Sequence, residues 1–411
     1  VTAAVEGVER PVVVQKFGGT SVATAEGREA IARRVLAAQE LGQAPVVVVS
    51  AMGRSGDPYA TDTLLSLIAG HPEDARERDL LSSCGEVVSA VVVAHELREV
   101  GVQARAFTGA EAGIATDGLH GAASVSEIRP GALIAAIAAG VVPVVAGFQG
   151  VGPDGSLTTL GRGGSDTTAC ALGVALEAES VEIYTDVDGV MSADPRSCDS
   201  AGVLGVIRAE ELAEMARAGA RVVHTPAAEL ALASGLTVRV RNTYSNHPGT
   251  LVSDIASYTP SSVGTAVTSS SGIARITVTL PAGEGARGHM AAQTDVYRAM
   301  ADAGVSLDMF TPAGDRLLFT VCEDALDTAS ATLDALGLPY EVTPDLAKVT
   351  LVGAAMHGVP GVMAAITEHL LNAGVDVLQS ADSHTTISVL VHAKDAETAV
   401  RALHDGFGLG E

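Results

Sequence analysis

Apolar positions fall into two alternating regimes along the chain. Short aliphatic runs at Pro11–Phe17, Pro45–Ser50 with four consecutive valines, Val102–Phe107, Val141–Ala146, Val181–Tyr184 and Leu236–Val240 have the character of strands buried on both faces. Longer stretches with helical spacing lie between them, among them Ala25–Leu41 and an Ala- and Leu-rich run that follows Asp166 to about Glu179. Strands alternating with helices predict βαβ units, hence an α/β fold with a mostly parallel sheet and helices on both faces. Ligands of such sheets sit outside the carboxyl ends of the strands, and the glycine-rich and polar loops here all follow strands. Between Phe148 and Thr159, Gly150, Gly152 and Asp154-Gly155 predict a β-hairpin. Residues 1–10 read as a loose tail.

The pattern changes near Ser253. From there to Gly272 the chain is rich in Ser and Thr, has no charge after Asp254 and contains Pro260, which predicts a linker at 253–271 after a first domain at 1–252. A weak repeat follows. Val305–Val321 and Val375–Val391 agree in length and pattern, and each copy follows an amphipathic helix ending in Ala-Gly, at Gly304 and at Gly374. With strands at Ile273–Leu280 and Lys348–Val352 ahead of those helices, the order is βαββαβ, found in small two-layer domains. This predicts modules at 272–345 and 346–411, either intertwined or in tandem with their sheets buried against each other.

Composition narrows the function classes. With 3% aromatic residues and no Trp, the chain lacks the stacking platforms that single-stranded nucleic acid needs. A net charge of −24 argues against nucleic acid or an anionic membrane as partner. It also makes cations gathered in glycine-rich loops more informative. Cys84, Cys170, Cys198 and Cys322 are widely spaced, without a disulfide or zinc pattern, and the 11 histidines show no ligand-like pairing. Cys84 and Cys170 read as buried packing groups. The longest apolar run, around Gly131 to Val145, is interrupted by Gly140 and Pro143, so no membrane span is expected. With no signal peptide visible, the reading is soluble and cytoplasmic.

Three stretches carry chemistry. Gly161-Arg162-Gly163-Gly164-Ser165-Asp166 places one arginine among glycines at a helix start, where Ser165 or Asp166 would cap. Free N–H groups and an arginine together suit a phosphate or carboxylate. Lys16-Phe-Gly-Gly-Thr-Ser21 follows the first strand without the P-loop spacing, and Lys16 with Gly18 and Gly19 makes a second half of one anion site. Tyr184-Thr-Asp-Val-Asp-Gly189 offers Thr185 and Asp186 for a base or ribose, and Arg196 follows soon after in Ala193-Asp-Pro-Arg196. Asp-Gly is equally an ordinary turn. Glu86 sits on a helical run, where a glutamate is normally exposed.

These motifs, with Ser50-Ala-Met-Gly53, Gly85-Glu86 and Val223-His-Thr-Pro226, occur in the order seen in aspartate kinases of the amino acid kinase family. The chain resembles the bacterial monofunctional type, with two C-terminal ACT domains, over essentially its whole length. The resemblance implies ATP-dependent phosphorylation of the β-carboxylate of L-aspartate to 4-phospho-L-aspartate, the first step toward lysine, threonine, methionine and diaminopimelate. It implies Lys16 at the transferring phosphoryl group and Asp166 orienting Lys16. Thr61, Glu86 and Arg162 would bind substrate, with Arg162 on the α-carboxylate and Glu86 on the ammonium. Gly18, Gly19, Thr185, Asp186, Arg196, Arg221 and Val222 fall at nucleotide positions. Mg²⁺ would arrive with ATP, with no protein ligand named.

The chain departs from the family in having Met191 where many members have tyrosine and Arg221 where others have lysine. The stretch from Gly53 to Ala60 is also longer than in some members. ACT domains in such enzymes pair between subunits, which implies a homo-oligomer, in some members with a shorter regulatory subunit. They bind an amino-acid effector, here lysine, threonine or diaminopimelate, with Asp295, Gln379 and Ser380 as candidate contacts. The alternatives are a related kinase with another acceptor and a catalytically silent amino-acid sensor.

Overall fold

The computed structural model describes residues 10–68, 74–220, 222–253, 263–281, 286–354, 356 and 358–410. They form two compact units, 1–190 with 203–216 and 221–258, and 191–202 with 217–220 and 259–411. The tail expected at 1–10 lies almost wholly outside the described residues, as does Arg221.

The first unit is built on an eight-stranded sheet. Its spatial order is Val206–Ile207, Thr250–Val252, Val238–Asn242, Ser180–Thr185, Val12–Phe17, Ala44–Val49, Val142–Ala146 and Ala104–Phe107. All neighbours run parallel except Val238–Asn242 against Thr250–Val252. Ala44–Val49 is buried at every position, as its run of valines predicts for a central parallel strand. On Val12–Phe17 side chains alternate. Phe17 joins the core formed with helices Ala25–Glu40 and Ala75–Glu99, while Lys16 turns to the opposite side, where helix Gly164–Ala175 carries Asp166. Helix Ala75–Glu99 is long and apolar enough to cross a membrane by length and composition. Here Ala90, Val93, Ala94 and Leu97 pack into the sheet core instead. The expected hairpin is present: Gln149–Val151 pairs antiparallel with Leu157–Thr159 around a turn at Gly155, in a second, four-stranded sheet.

Several local expectations differ from the outcome. Neither Ser165 nor Asp166 caps the helix. Gly163 is its N-cap in the left-handed conformation, and both residues lie in the first turn. The helix also ends earlier than expected, at Ala175, before Glu177 with φ 47°. Cys170 is buried as expected, but Cys84 is exposed, because its position on helix Ala75–Glu99 faces away from the core that Ser83 and Gly85 approach.

In the second unit each Ala-Gly pair ends a helix as the sequence predicts. Gly304 and Gly374 are left-handed, and Val305 and Val375 behind them are buried. The two copies do not stack sheet on sheet. They share one antiparallel six-stranded sheet, ordered Asp308–Ala313, Arg316–Cys322, Ala266–Thr279, Tyr340–Val352, Thr386–His392 and Gln379–Asp382. The cause is the length of the two central strands. Ala266–Thr279 pairs with Arg316–Cys322 through its second half and with Tyr340–Val352 along most of its length, and Leu346–Val352 pairs with Thr386–His392. A register shift next to Gly272 bends the pair. Hence Val267 joins the core of the second copy, and Tyr340 and Val342 pack on the core of the first. The strand at Ala266 begins inside the interval expected to be linker.

The same unit takes in Met191–Gly202, an excursion from the first 250 residues. Ala193 and Cys198 enter the core of the second copy. Ser192 Oγ lies 2.8 Å from Nε2 of buried His404, and Ser200 Oγ lies 3.2 Å from its Nδ1. Cys198, His404 and Asp405 thus converge as a metal site would, but the Ser200 hydroxyl stands within hydrogen-bonding reach of all three.

Candidate active site

A cleft of about 830 Å³ opens at the carboxyl ends of the parallel strands of the first unit. Its lining comes from the segments after Val12–Phe17, Ala44–Val49, Val142–Ala146 and Ser180–Thr185 and from the loop at Gly161. On the other side of the sheet from Lys16, the Phe17 and Tyr184 rings stack at 4.7 Å on neighbouring strands and tie two of the strands that carry the cleft.

Lys16 and Asp166 meet here. Nζ lies 2.6 Å from Oδ1, with the side chains 13% and 5% exposed. Such burial leaves each group dependent on the other, since an unpaired charge at this depth is costly. Gly18 faces open cleft, because a Cβ there would find nothing closer than Lys16 Nζ at 3.9 Å. Gly19 also lines the cleft, and its packing against the backbone of Ala51 and Gly53 leaves no room for a side chain.

Glu86 is 3% exposed, against the usual fate of a helix-face glutamate. Gly85 is the local reason. A Cβ at that position would lie 2.7 Å from both Ala51 Cβ and Tyr59 O, so the bare backbone lets helix Ala75–Glu99 close on this loop. Glu86 Oε1 then accepts the Ala51 N–H at 3.0 Å, while Oε2 is buried without a partner. Burial pushes its carboxyl up to about 8, against the smaller opposing effect of the Ala51 hydrogen bond.

Arg162 stands exposed at the rim between Gly161 and Gly163, with φ of 71° and 74°. A Cβ at Gly163 would strike His224 Cγ at 2.0 Å, so this turn needs glycine for both its backbone angle and its packing. Thr61, Thr185 and Val222 line the same cleft. Asp186 is turned to Arg54, whose Nη2 lies 3.0 Å away. Arg196 belongs to the second unit, where it pairs with Asp194 at 2.6 Å.

Among the effector candidates, Asp295 is exposed on helix Ala286–Asp302. Gln379 Nε2 donates to Met309 O and to Thr311 Oγ1, joining the strand of Gln379 and Ser380 to Asp308–Ala313. Ser380 is exposed on that strand.

The sequence reading missed Arg54, Asp79, Phe148 and His224, all of which line the cleft. Phe148 has φ 69°, a strained conformation for a bulky residue of the kind found at functional sites. Its place just after strand Val142–Ala146 was the only available signal.

The geometry is that of a site for two anions, with a buried cation at its centre and an unpartnered carboxylate oxygen beside it. Residues 11–242 match the amino acid kinase family, and residues 341–405 match an ACT domain. Aspartokinase 1 of Bacillus subtilis is 45% identical over 405 residues, covering 97% of this chain and all of the relative. The Mycolicibacterium smegmatis aspartokinase is 40% identical, covering 97% of this chain and 96% of the relative. Among solved structures, E. coli aspartokinase III in complex with aspartate and ADP has a TM-score of 0.79 at 27% identity, covering 97% of this chain and 100% of its own. The same enzyme in complex with lysine and aspartate has a TM-score of 0.72 at 28% identity, covering 96% and 99%. The chain therefore belongs to the amino acid kinase family and, within it, to the aspartokinases.

Proposed function

We propose that the cleft transfers the γ-phosphoryl group of ATP to the β-carboxylate of L-aspartate, giving 4-phospho-L-aspartate and ADP. The observation that carries this reading is the unpartnered oxygen of buried Glu86 within the cleft that also holds the Lys16–Asp166 pair. An α-ammonium is the group that such an oxygen lacks.

The β-carboxylate is ionised at neutral pH and needs no general base. What remains is to align two anions and offset their repulsion. Lys16 neutralises the transferring phosphoryl group, and Asp166 fixes the position of its ammonium. Gly18 gives the phosphates room, while Thr185 and Val222 border the nucleotide. Arg162 forks onto the α-carboxylate, and Thr61 contributes a hydroxyl beside it. Of the buried cleft carboxylates, Asp166 is held by Lys16, Asp79 by His120 and Thr159, and one oxygen of Glu86 by Ala51, while Asp62 is exposed. That donor set fits Mg²⁺ carried by the phosphates with water completing its shell. The ion would neutralise phosphate charge.

Aspartyl hydroxamate formation from aspartate, ATP and hydroxylamine tests the reaction. No product at millimolar aspartate rejects it, and product with glutamate or another acceptor instead points to a related kinase. Arg162→Ala is expected to raise the KM for aspartate by roughly 10²-fold, with the KM for ATP little changed. An equal rise in both would move Arg162 to the nucleotide.

The ACT match and the lysine complex of the E. coli enzyme support feedback control by an amino-acid end product. Lysine, singly or with threonine or diaminopimelate, is expected to lower the rate. An inhibition panel checks this, and lysine binding without ATP turnover would favour a silent sensor.

A further inference from the structure

Asp79 lies on the second turn of helix Ala75–Glu99 and is 2% exposed. Helical spacing puts it on one face with Ser82 and Glu86, and all three line the cleft. Its carboxylate gathers donors from two other parts of the chain. Oδ2 lies 2.7 Å from His120 Nδ1, the Gly121 N–H lies 3.1 Å from both oxygens, and the Thr159 hydroxyl donates to Oδ1 at 2.5 Å.

Those partners are the supports of the arginine loop. Thr159 ends strand Leu157–Thr159, directly ahead of Leu160, Gly161 and Arg162. Its carbonyl accepts the Ala123 N–H at 2.9 Å. A Cβ at Gly161 would lie 3.5 Å from Gly121 O and 3.7 Å from Ala122 Cα, so the loop rests on the turn that Asp79 holds. One buried carboxylate thus fastens both the base of the arginine loop and the surface it leans on. A carboxylate at this depth is costly without such partners, and an apolar side chain could not direct three donors.

We propose that Asp79 is the positioning residue of the substrate site, holding the loop that presents Arg162 and so setting affinity for the α-carboxylate of the acceptor. This rests on the reading of Arg162 given above.

Asp79→Asn replaces one acceptor oxygen by an amide N–H₂ facing donors. The expected result is a KM for aspartate raised roughly tenfold or more, with the KM for ATP within about a factor of two. Hydrogen–deuterium exchange in residues 160–164 of the ligand-free protein is expected to quicken. Thr159→Val removes only one hydroxyl and is expected to move both readouts in the same direction by less. It also serves if Asp79→Asn does not fold. Unchanged exchange in a folded variant, or a parallel rise in both KM values, overturns the proposal. The exchange measurement needs no substrate, so it stands apart from the assignment of aspartate, which fails on its own if the wild-type chain makes no aspartyl hydroxamate.

Discussion

Lys16→Ala is expected to lower kcat by about 10³-fold, the scale of losing one preorganised stabiliser of transition-state charge. Of the arginines described in the cleft, Arg54 is paired with Asp186, Arg162 stands exposed at the rim and Arg78 lies on helix Ala75–Glu99, so none shares the buried ion pair of Lys16 with Asp166. The same change strands Asp166, whose side chain is 5% exposed and whose ion-pair partner is Lys16. Breaking a buried pair from one side costs about 3–5 kcal/mol, so the variant is also expected to melt earlier. The two losses separate in the double variant Lys16→Met with Asp166→Asn, which removes both charges. Its stability is expected to recover while kcat stays low. Thermal melts and steady-state rates on the three proteins check this. A Lys16→Ala enzyme within tenfold of the wild-type kcat would remove Lys16 from the chemistry.

The parts of this site that were legible in the sequence are those whose signal is local. Lys16 ends an apolar strand, and alternation on that strand settles which side of the sheet it faces. Gly161 and Gly163 announce left-handed turns, and both have them. Ala303-Gly304 and Ala373-Gly374 announce helix ends for the same reason. What could not be read depends on partners distant in sequence. Glu86 and Asp79 lie on a helix whose polar and apolar residues are spread around it without a preferred face, so the sequence does not mark which carboxylates turn inward. Their burial is decided by Ala51 and Thr159, on other segments. The sequence left intertwined and tandem modules open, because the first long strand of the shared six-stranded sheet starts in a Ser- and Thr-rich stretch that resembles linker. Threonine is also a good strand former, and Thr265 and Thr268 are buried there.

Glu86→Gln is expected to cost about 10²- to 10³-fold in kcat/KM for aspartate, the price of leaving a buried ammonium without its counter-charge, while making the ligand-free protein more stable at alkaline pH. Both effects come from one cause. Burial lifts the carboxyl from its ordinary 4.5 to about 8. Between those values the folded protein keeps a proton that the unfolded chain has released, so folding stability falls as pH rises through about 8. Stability from this group is complete only below 4.5. The glutamine variant lacks the titration, and its stability curve should flatten, opening a gap of a few kcal/mol over the wild type above pH 8. Substrate binding runs the other way. The ammonium calls for the ionised carboxylate, so wild-type kcat/KM should climb nearly tenfold per pH unit toward about 8 and then level, while the variant stays low and flat. Denaturant melts and pH–rate profiles from pH 6 to 9 provide the measurement. A wild-type profile already flat over that interval would remove the raised titration of Glu86, and a Glu86→Gln enzyme with unchanged kcat/KM would show that Glu86 does not meet the ammonium. A rising profile, with a variant that is both firmer and inactive, would mean that the empty cleft holds an unfavourable buried carboxylate in place so that only a cationic substrate relieves it.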